Sequence, residues 1–256
     1  MRTFIAFLKK EILETIRTGK LFIVLIISCL FGIMSPAIAK LTPWMMKTLS
    51  ASLEESGLQV KEVVVDALTS WTQFYKNMPI LIIVFVFVYA AIYVNEYQKG
   101  TLVTIISKGL ARWKVYISKY VILSLVWTMA VSVCYLITLL YNMYFWDNSI
   151  ASYHFLGAVY YWVFGMMVVS LMACFSSLAS QVSGVLLGTG GVTVICYIVS
   201  MFPKAADYSP IKLMSGMELL MKNNGPEDYF KALFMAIVLI IISNIIAVSA
   251  LNKKSL

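Results

Sequence analysis

The chain has 256 residues, of which 61% are hydrophobic and 12% charged, with a mean hydropathy of +0.87 and a formal net charge of +8. This composition lies well outside that of soluble domains and describes a polytopic membrane protein. Its excess base reads as a topology signal and not as a nucleic-acid footprint.

The first twenty residues, MRTFIAFLKKEILETIRTGK, place Phe4, Ile5, Leu8, Ile12 and Ile16 at helical spacing. Lys9, Lys10, Glu14 and Arg17 fall largely on other faces, so the periodicity predicts an amphipathic helix in the membrane interface before the first span. SPAIAK carries a leader-like A-x-A pattern at Ala37 and Ala39. The preceding stretch is too long and too patterned for an ordinary cleaved leader.

A hydrocarbon core about 30 Å thick needs roughly 20 apolar residues per helix. Six uncharged runs meet that need, at about 21–39, 78–94, 120–141, 155–175, 182–202 and 232–251. They are apolar on every face, whereas barrel strands alternate, so the expected fold is an all-α integral membrane protein with six transmembrane helices. The whole of 1–256 reads as one transmembrane domain.

Between the first two runs, residues 40–77 hold Trp44, Met45, Leu49, Leu53, Val60, Val64, Leu68, Trp71 and Phe74 at roughly helical spacing. Short amphipathic helices near the outer interface are predicted there. Between spans two and three, NEYQKGTLVTIISKGLARWKVYISKY packs one acid and several bases around an apolar cluster. Gly100 is placed to break the second span's helix, Thr101 to cap a new one and Gly109 to end it after about two turns. Leu102, Ile105 and Ile106 then share one apolar face. That face suits a groove on a soluble partner or, alternatively, the lipid surface. Gly184 and Gly188, with Gly190 and Gly191 behind them, would allow close helix approach on the fifth span, in a dimer or within one subunit, or would loosen that span for gating. Residues 203–231 are broken by Pro203, Pro210 and Pro226, with SPIKLMSGMELLMKN helical between the breaks. Both outer segments read as lids over an exit or as aromatic interfacial packing.

With both termini on one side of six spans, that side holds twelve bases against three acids, or +9, and the other eight against nine, or −1. The positive-inside rule makes the termini and the Asn95–Tyr120 segment cytoplasmic.

Catalytic motifs are absent. No phosphate loop occurs, so the chain should not bind ATP by itself. His154 is the sole histidine, which excludes a multi-histidine metal site, and it reads as interfacial. Cys29, Cys134, Cys174 and Cys196 are widely spaced inside predicted spans and read as packing residues. No acid falls within the six apolar runs, which argues against intramembrane hydrolysis and ion-driven transport. Energy for any uphill transport would enter from outside the membrane.

The pattern E-x-x-x-G-T-L … S-K-G-x-x-R … S-K, the N-terminal KKEILETIRTGK, the six spans and the SPIKL loop together resemble permease subunits of ABC-2 type ATP-binding-cassette transporters, over nearly the whole chain. The resemblance implies a plasma-membrane, multi-pass, bacterial exporter subunit without its own catalytic site. It would act as a dimer with a second permease copy or paralogue, driven by two copies of a cytoplasmic ATPase that binds the ATP and Mg. The segment between spans two and three becomes a coupling helix, with Glu96, Gly100, Thr101, Leu102, Ile105, Ile106 and Arg112 as coupling elements. Lys9, Lys10, Glu11, Glu14 and Arg17 become candidates for an elbow helix or ATPase contact, and Gly184, Gly188 and Gly191 for helix packing or a dimer. The charge-free Ser176–Gly184 departs from what a second strong ATPase contact would need. A hydrophobic or amphipathic cargo, such as a peptide, antibiotic or lipid-like molecule, suits the uncharged, aromatic-rich spans. The alternative is a membrane anchor or assembly factor that recruits a cytoplasmic protein and transports nothing.

Overall fold

A computed structural model describes residues 2–54, 65–101, 107, 109–221 and 225–253. The elements are α1 (Arg2–Arg17), α2 (Lys20–Glu54), α3 (Ala67–Tyr89), α4 (Val94–Gln98), α5 (Arg112–Phe145), α6 (His154–Leu178), α7 (Val182–Ser200), α8 (Pro203–Ala206), α9 (Gly216–Leu220) and α10 (Phe230–Lys253). Three short 3₁₀ turns, Asn148–Ile150, Pro210–Met214 and Pro226–Tyr229, complete them, and there is no strand among the described residues. Six helical stretches are long and apolar enough to cross a bilayer: Lys20–Thr48, Ala67–Gln98, Arg112–Phe145, His154–Leu178, Val182–Ser200 and Pro226–Lys253. This is the signature of a multi-pass membrane protein.

The central helix is α6, most of whose residues are buried. It packs along α10 and α7 on one side and against α5 and α3 on the other, while α2 lies along α5 and α3. Gly165 makes the α5–α6 approach, because a Cβ there would fall inside the indole of the fully buried Trp127. The two indoles at this crossing are both satisfied: Trp127 Nε1 donates to the Trp162 carbonyl at 3.2 Å and Trp162 Nε1 to Thr128 Oγ1 at 3.0 Å. Such pairing is what a low-dielectric interior demands of an indole N–H. Ile26, Leu30, Phe87, Leu125, Leu136, Leu187, Ile195, Ile241 and Ile245 remain exposed on outer faces, where lipid would cover them.

The helices outrun the apolar runs at several ends. α2 is continuous through Lys40 to Glu54, with Pro36 and Pro43 inside it, so the stretch from Lys40 belongs to the first helix. Trp44 and Met45 are exposed there, and Lys40 lies over the Phe145 ring at 3.7 Å. The segment 55–64, with Val60 and Val64, lies outside the described residues. α3 starts at Ala67 because Asp66 caps it, accepting from the Thr69 amide at 2.9 Å. Trp71 and Phe74 are therefore fully buried parts of the second span, a correction to the interfacial helix expected for them. Trp71 stacks on His154 at 4.8 Å and donates Nε1 to Asn148 Oδ1 at 2.8 Å. Tyr135 Oη lies 2.9 Å from His154 Nδ1, so the lone histidine belongs to an aromatic cluster closing this end of the bundle.

The 203–231 segment folds back onto the same end. Leu213, Leu219, Leu220 and Tyr229 are buried. Tyr160 donates to the Pro226 carbonyl at 3.1 Å and Tyr229 to that of Ser215 at 2.9 Å. SPIKL forms a 3₁₀ turn, begun by Ser209 and Pro210, followed by the one-turn α9. Outside the spans here, a hydrogen bond from Lys212 holds the exposed Asp207 carboxyl below its ordinary range.

Candidate functional site

The polar residues gather at the opposite end, where α1, α4, the start of α5 and the end of α10 meet. Glu11 of α1, Glu96 of α4 and Lys119 of α5 are 3%, 7% and 1% exposed. Lys119 Nζ lies 2.7 Å from Glu11 Oε2 and 3.1 Å from Glu96 Oε1. Lys10, half-exposed, adds contacts of 2.8 Å to Glu11, 2.6 Å to Glu14 and 3.3 Å to Glu96. Two bases thus bind three acids, and the Glu11–Lys119 pair joins positions 108 residues apart.

Burial works against the charge on Lys10, but the hydrogen bonds it donates to Glu11 and Glu14 and the attraction of Glu11 and Glu96 outweigh it, so its pKa is raised. Burial likewise pushes the Glu14 carboxyl up, and the Lys10 hydrogen bond and charge more than reverse this, leaving it lowered. Because its folded pKa is depressed, Glu14 contributes above its ordinary value of 4.5, and that contribution fades as the pH falls. Glu14 is half-exposed, so screening keeps it small.

The cluster sits at the rim of the apolar bundle. Glu96 and Lys119 lie just beyond the apolar runs 78–94 and 120–141, near the ends of the helical stretches Ala67–Gln98 and Arg112–Phe145. They are tolerated because they neutralise each other. Glu11 and Glu96 also face inward, toward Lys10 and Lys119. The reason lies in the facing of α1. Its bundle side is Phe7, Glu11 and Thr15, four residues apart, whereas Ile5, Ile12 and Ile16 are exposed on the far side, where an interfacial helix would meet lipid. Lys9 and Arg17 are exposed as well.

The stems of the segment between spans two and three are well defined. Gly100 has φ +65° and Gly109 φ +84°, left-handed conformations that glycine adopts without strain. Thr101 is exposed and already helical, and its hydroxyl reaches the Glu96 carbonyl at 3.4 Å, so it is no N-cap. Leu102, Ile105 and Ile106 lie outside the described residues. Arg112 opens α5 and sends its guanidinium to the carbonyls of Leu251 and Asn252 at 3.0 and 3.2 Å, capping the last helix. Its described contacts are therefore intramolecular.

A polar ladder runs inward from these stems. Tyr93 donates to the Tyr116 carbonyl, and Tyr116 to Asn244 Oδ1 of α10, each at 2.9 Å. The rings of Tyr93, Tyr116 and Tyr120 stack in sequence, and Tyr120 Oη meets Ser170 Oγ of α6 at 2.8 Å. The charge-free Ser176–Gly184 turn lies beside α4. Ser176 Oγ donates to the Ala90 carbonyl at 3.0 Å and Gln98 Nε2 to that of Ser180 at 3.2 Å.

On α7, a Cβ at Gly188 would strike the Phe175 ring and one at Gly184 would meet Ala179 Cβ at 3.2 Å, whereas Gly190 and Gly191 have nothing within 4 Å. Gly184 and Gly188 therefore serve packing within this chain. Beside them an apolar groove of about 430 Å³ opens between α3, α6 and α7, lined by Ile83, Phe87, Phe164, Val194 and Met214 among others.

No family model, curated protein or solved structure matches the chain.

Proposed function

We propose that the chain is the membrane-spanning permease subunit of an ATP-driven transporter of the ABC-2 type, exporting a hydrophobic or amphipathic molecule and powered by a separate cytoplasmic ATPase that carries the ATP and Mg. The observation that supports this reading best is the mounting of the 101–108 segment. Its upstream stem is tied through Glu96 to Lys119 and Lys10, and its downstream stem through Arg112 to the end of α10. A push on such a segment would be shared at once by α1, α4, α5 and α10, as force transmission from a soluble motor requires. The apolar groove beside α7 has the chemistry of the proposed cargo.

In this reading the termini and the 101–108 segment are cytoplasmic, as the charge split between the two sides requires. With the four native cysteines replaced, cysteine at Ser56 or Asn223 should react with an impermeant reagent in intact cells, and cysteine at Ser107 should not. Labelling at Ser107 would invert the orientation.

In this reading a Walker-motif ATPase is expected to be encoded beside the chain, and the function itself is tested by co-expressing the two. The two should co-elute and show ATP hydrolysis that rises with cargo, while the purified chain alone hydrolyses none. Co-elution without cargo-stimulated hydrolysis or transport would make the chain a membrane anchor. Elution apart from the ATPase would remove the motor and, with it, the reading.

A further inference from the structure

The charged end of the bundle contains a cleft of about 500 Å³, which the ion-pair network lines without filling. Glu11, Glu14 and Glu96 lie close enough together to hold a metal ion, with carboxylate oxygens within 4.8 Å of one another. The ammonium groups of Lys10 and Lys119 already occupy that position, so a cation is not what the cleft lacks.

The unsatisfied groups point elsewhere. Tyr89 lines the cleft and is 1% exposed, yet its hydroxyl has no hydrogen-bond partner. Glu96 Oε2 is buried and also has none, although Oε1 is shared by two lysines. Lys20 and Lys99 line the same cleft, and neither has a carboxylate within ion-pair distance among the described residues. Lys20 Nζ lies 5.9 Å from the centre of the Tyr89 ring. The cleft thus offers two ammonium groups and a phenol as donors, plus one carboxylate oxygen that needs a donor. Four bases against three acids leave it positive.

We propose that the cleft seats a phosphoglycerol anion, with its phosphate oxygens on Lys20, Lys99 and the Tyr89 hydroxyl and a glycerol hydroxyl donating to Glu96 Oε2. Lys20 is the first residue of the first span and Tyr89 the last of α3, so the cleft lies at the depth where lipid headgroups sit. The headgroup of phosphatidylglycerol is therefore its membrane-borne form and a soluble glycerol phosphate its water-borne form. A net positive cleft favours either over a zwitterionic headgroup. This inference is independent of the transport reading, because it concerns the chain without any partner.

The test is native mass spectrometry of the full chain in detergent, titrated with short-chain phosphatidylglycerol, short-chain phosphatidylcholine and sn-glycerol 3-phosphate. Phosphatidylglycerol should bind at one site well ahead of phosphatidylcholine. The double variant Lys20→Ala with Lys99→Ala should weaken it by roughly thirtyfold, taking each lysine near a headgroup at about a fivefold contribution. Tyr89→Phe, which keeps the ring, should weaken binding by a smaller factor without altering thermal unfolding. Lys99→Ala alone, at an exposed position, should give part of the loss in a protein of native stability. Binding of sn-glycerol 3-phosphate with the same dependence on these residues would assign the water-borne source of the same group. Equal binding of the two lipids, or binding indifferent to the lysine substitutions, would overturn the proposal.

Discussion

Lys119→Met is expected to destabilise the chain by about 3–5 kcal/mol, the scale on which removing one partner of a buried ion pair leaves the other uncompensated. Lys119 is 1% exposed and is the one ammonium that bridges Glu11 and Glu96 from inside the bundle. Methionine keeps the volume and removes the charge, so Glu11 and Glu96 would be left sharing the half-exposed Lys10 with Glu14. The loss should appear as a lowered unfolding midpoint in detergent and as protease sensitivity around Arg17, because α1 is held to α5 largely through this network. Adding Glu11→Gln and Glu96→Gln to Lys119→Met should recover a good part of the stability, since neutral buried groups cost far less than unpaired charges. By contrast, Lys212→Ala removes an ion pair to the half-exposed Asp207 and a distant contact over the Tyr229 ring, and should cost much less. If Lys119→Met unfolded like the native chain, the buried cluster would contribute nothing, and the stiff mounting inferred for the 101–108 segment would lose its basis.

The spans were readable because twenty apolar residues in sequence have few other uses, and each of the six runs matches one helical stretch, the fifth overrunning its helix end at Ser200 by two residues. Helix ends were less readable. Trp71 and Phe74 share the spacing of a surface helix, and only the Asp66 cap and the packing of His154 and Asn148 carry them into the bundle. Glu11 and Lys119 escaped for another reason. A base at the edge of an apolar run looks like a snorkelling topology signal, and an acid beside Lys10 looks like a surface pair. Their meeting across 108 residues is a tertiary fact. One local hint was present: Phe7, Glu11 and Thr15 lie four apart, a second stripe beside the more apolar one that the helix turns outward. Arg112 likewise carried no sign that its guanidinium would cap a helix ending at Lys253.

The substitutions Leu102→Asp and Ile105→Asp are expected to abolish association with the ATPase while leaving the membrane domain folded. Both residues lie outside the described residues, and their spacing in the sequence and the stems that flank them motivate the expectation. The sequence spacing of Leu102, Ile105 and Ile106 is that of one face of a short helix, and it lies between Gly100 and Gly109, two glycines with left-handed backbone. A face of that kind seated in a groove of a soluble protein is buried on binding. A carboxylate placed there without a partner costs several kcal/mol, enough to lower the affinity by two orders of magnitude or more. Folding should be spared, because the substitutions lie outside the spans and outside the ion-pair cluster of Glu11, Glu96 and Lys119. Alanine at both Lys108 and Lys114 should do less, since solvent-screened ion pairs are worth about 0–1 kcal/mol. Co-purification of the ATPase and cargo-stimulated hydrolysis are the two readouts, with the unfolding midpoint as the control for folding. Retention of both by the Asp variants at native stability would place Leu102 and Ile105 against lipid, and the motor would have to engage the chain through some other surface.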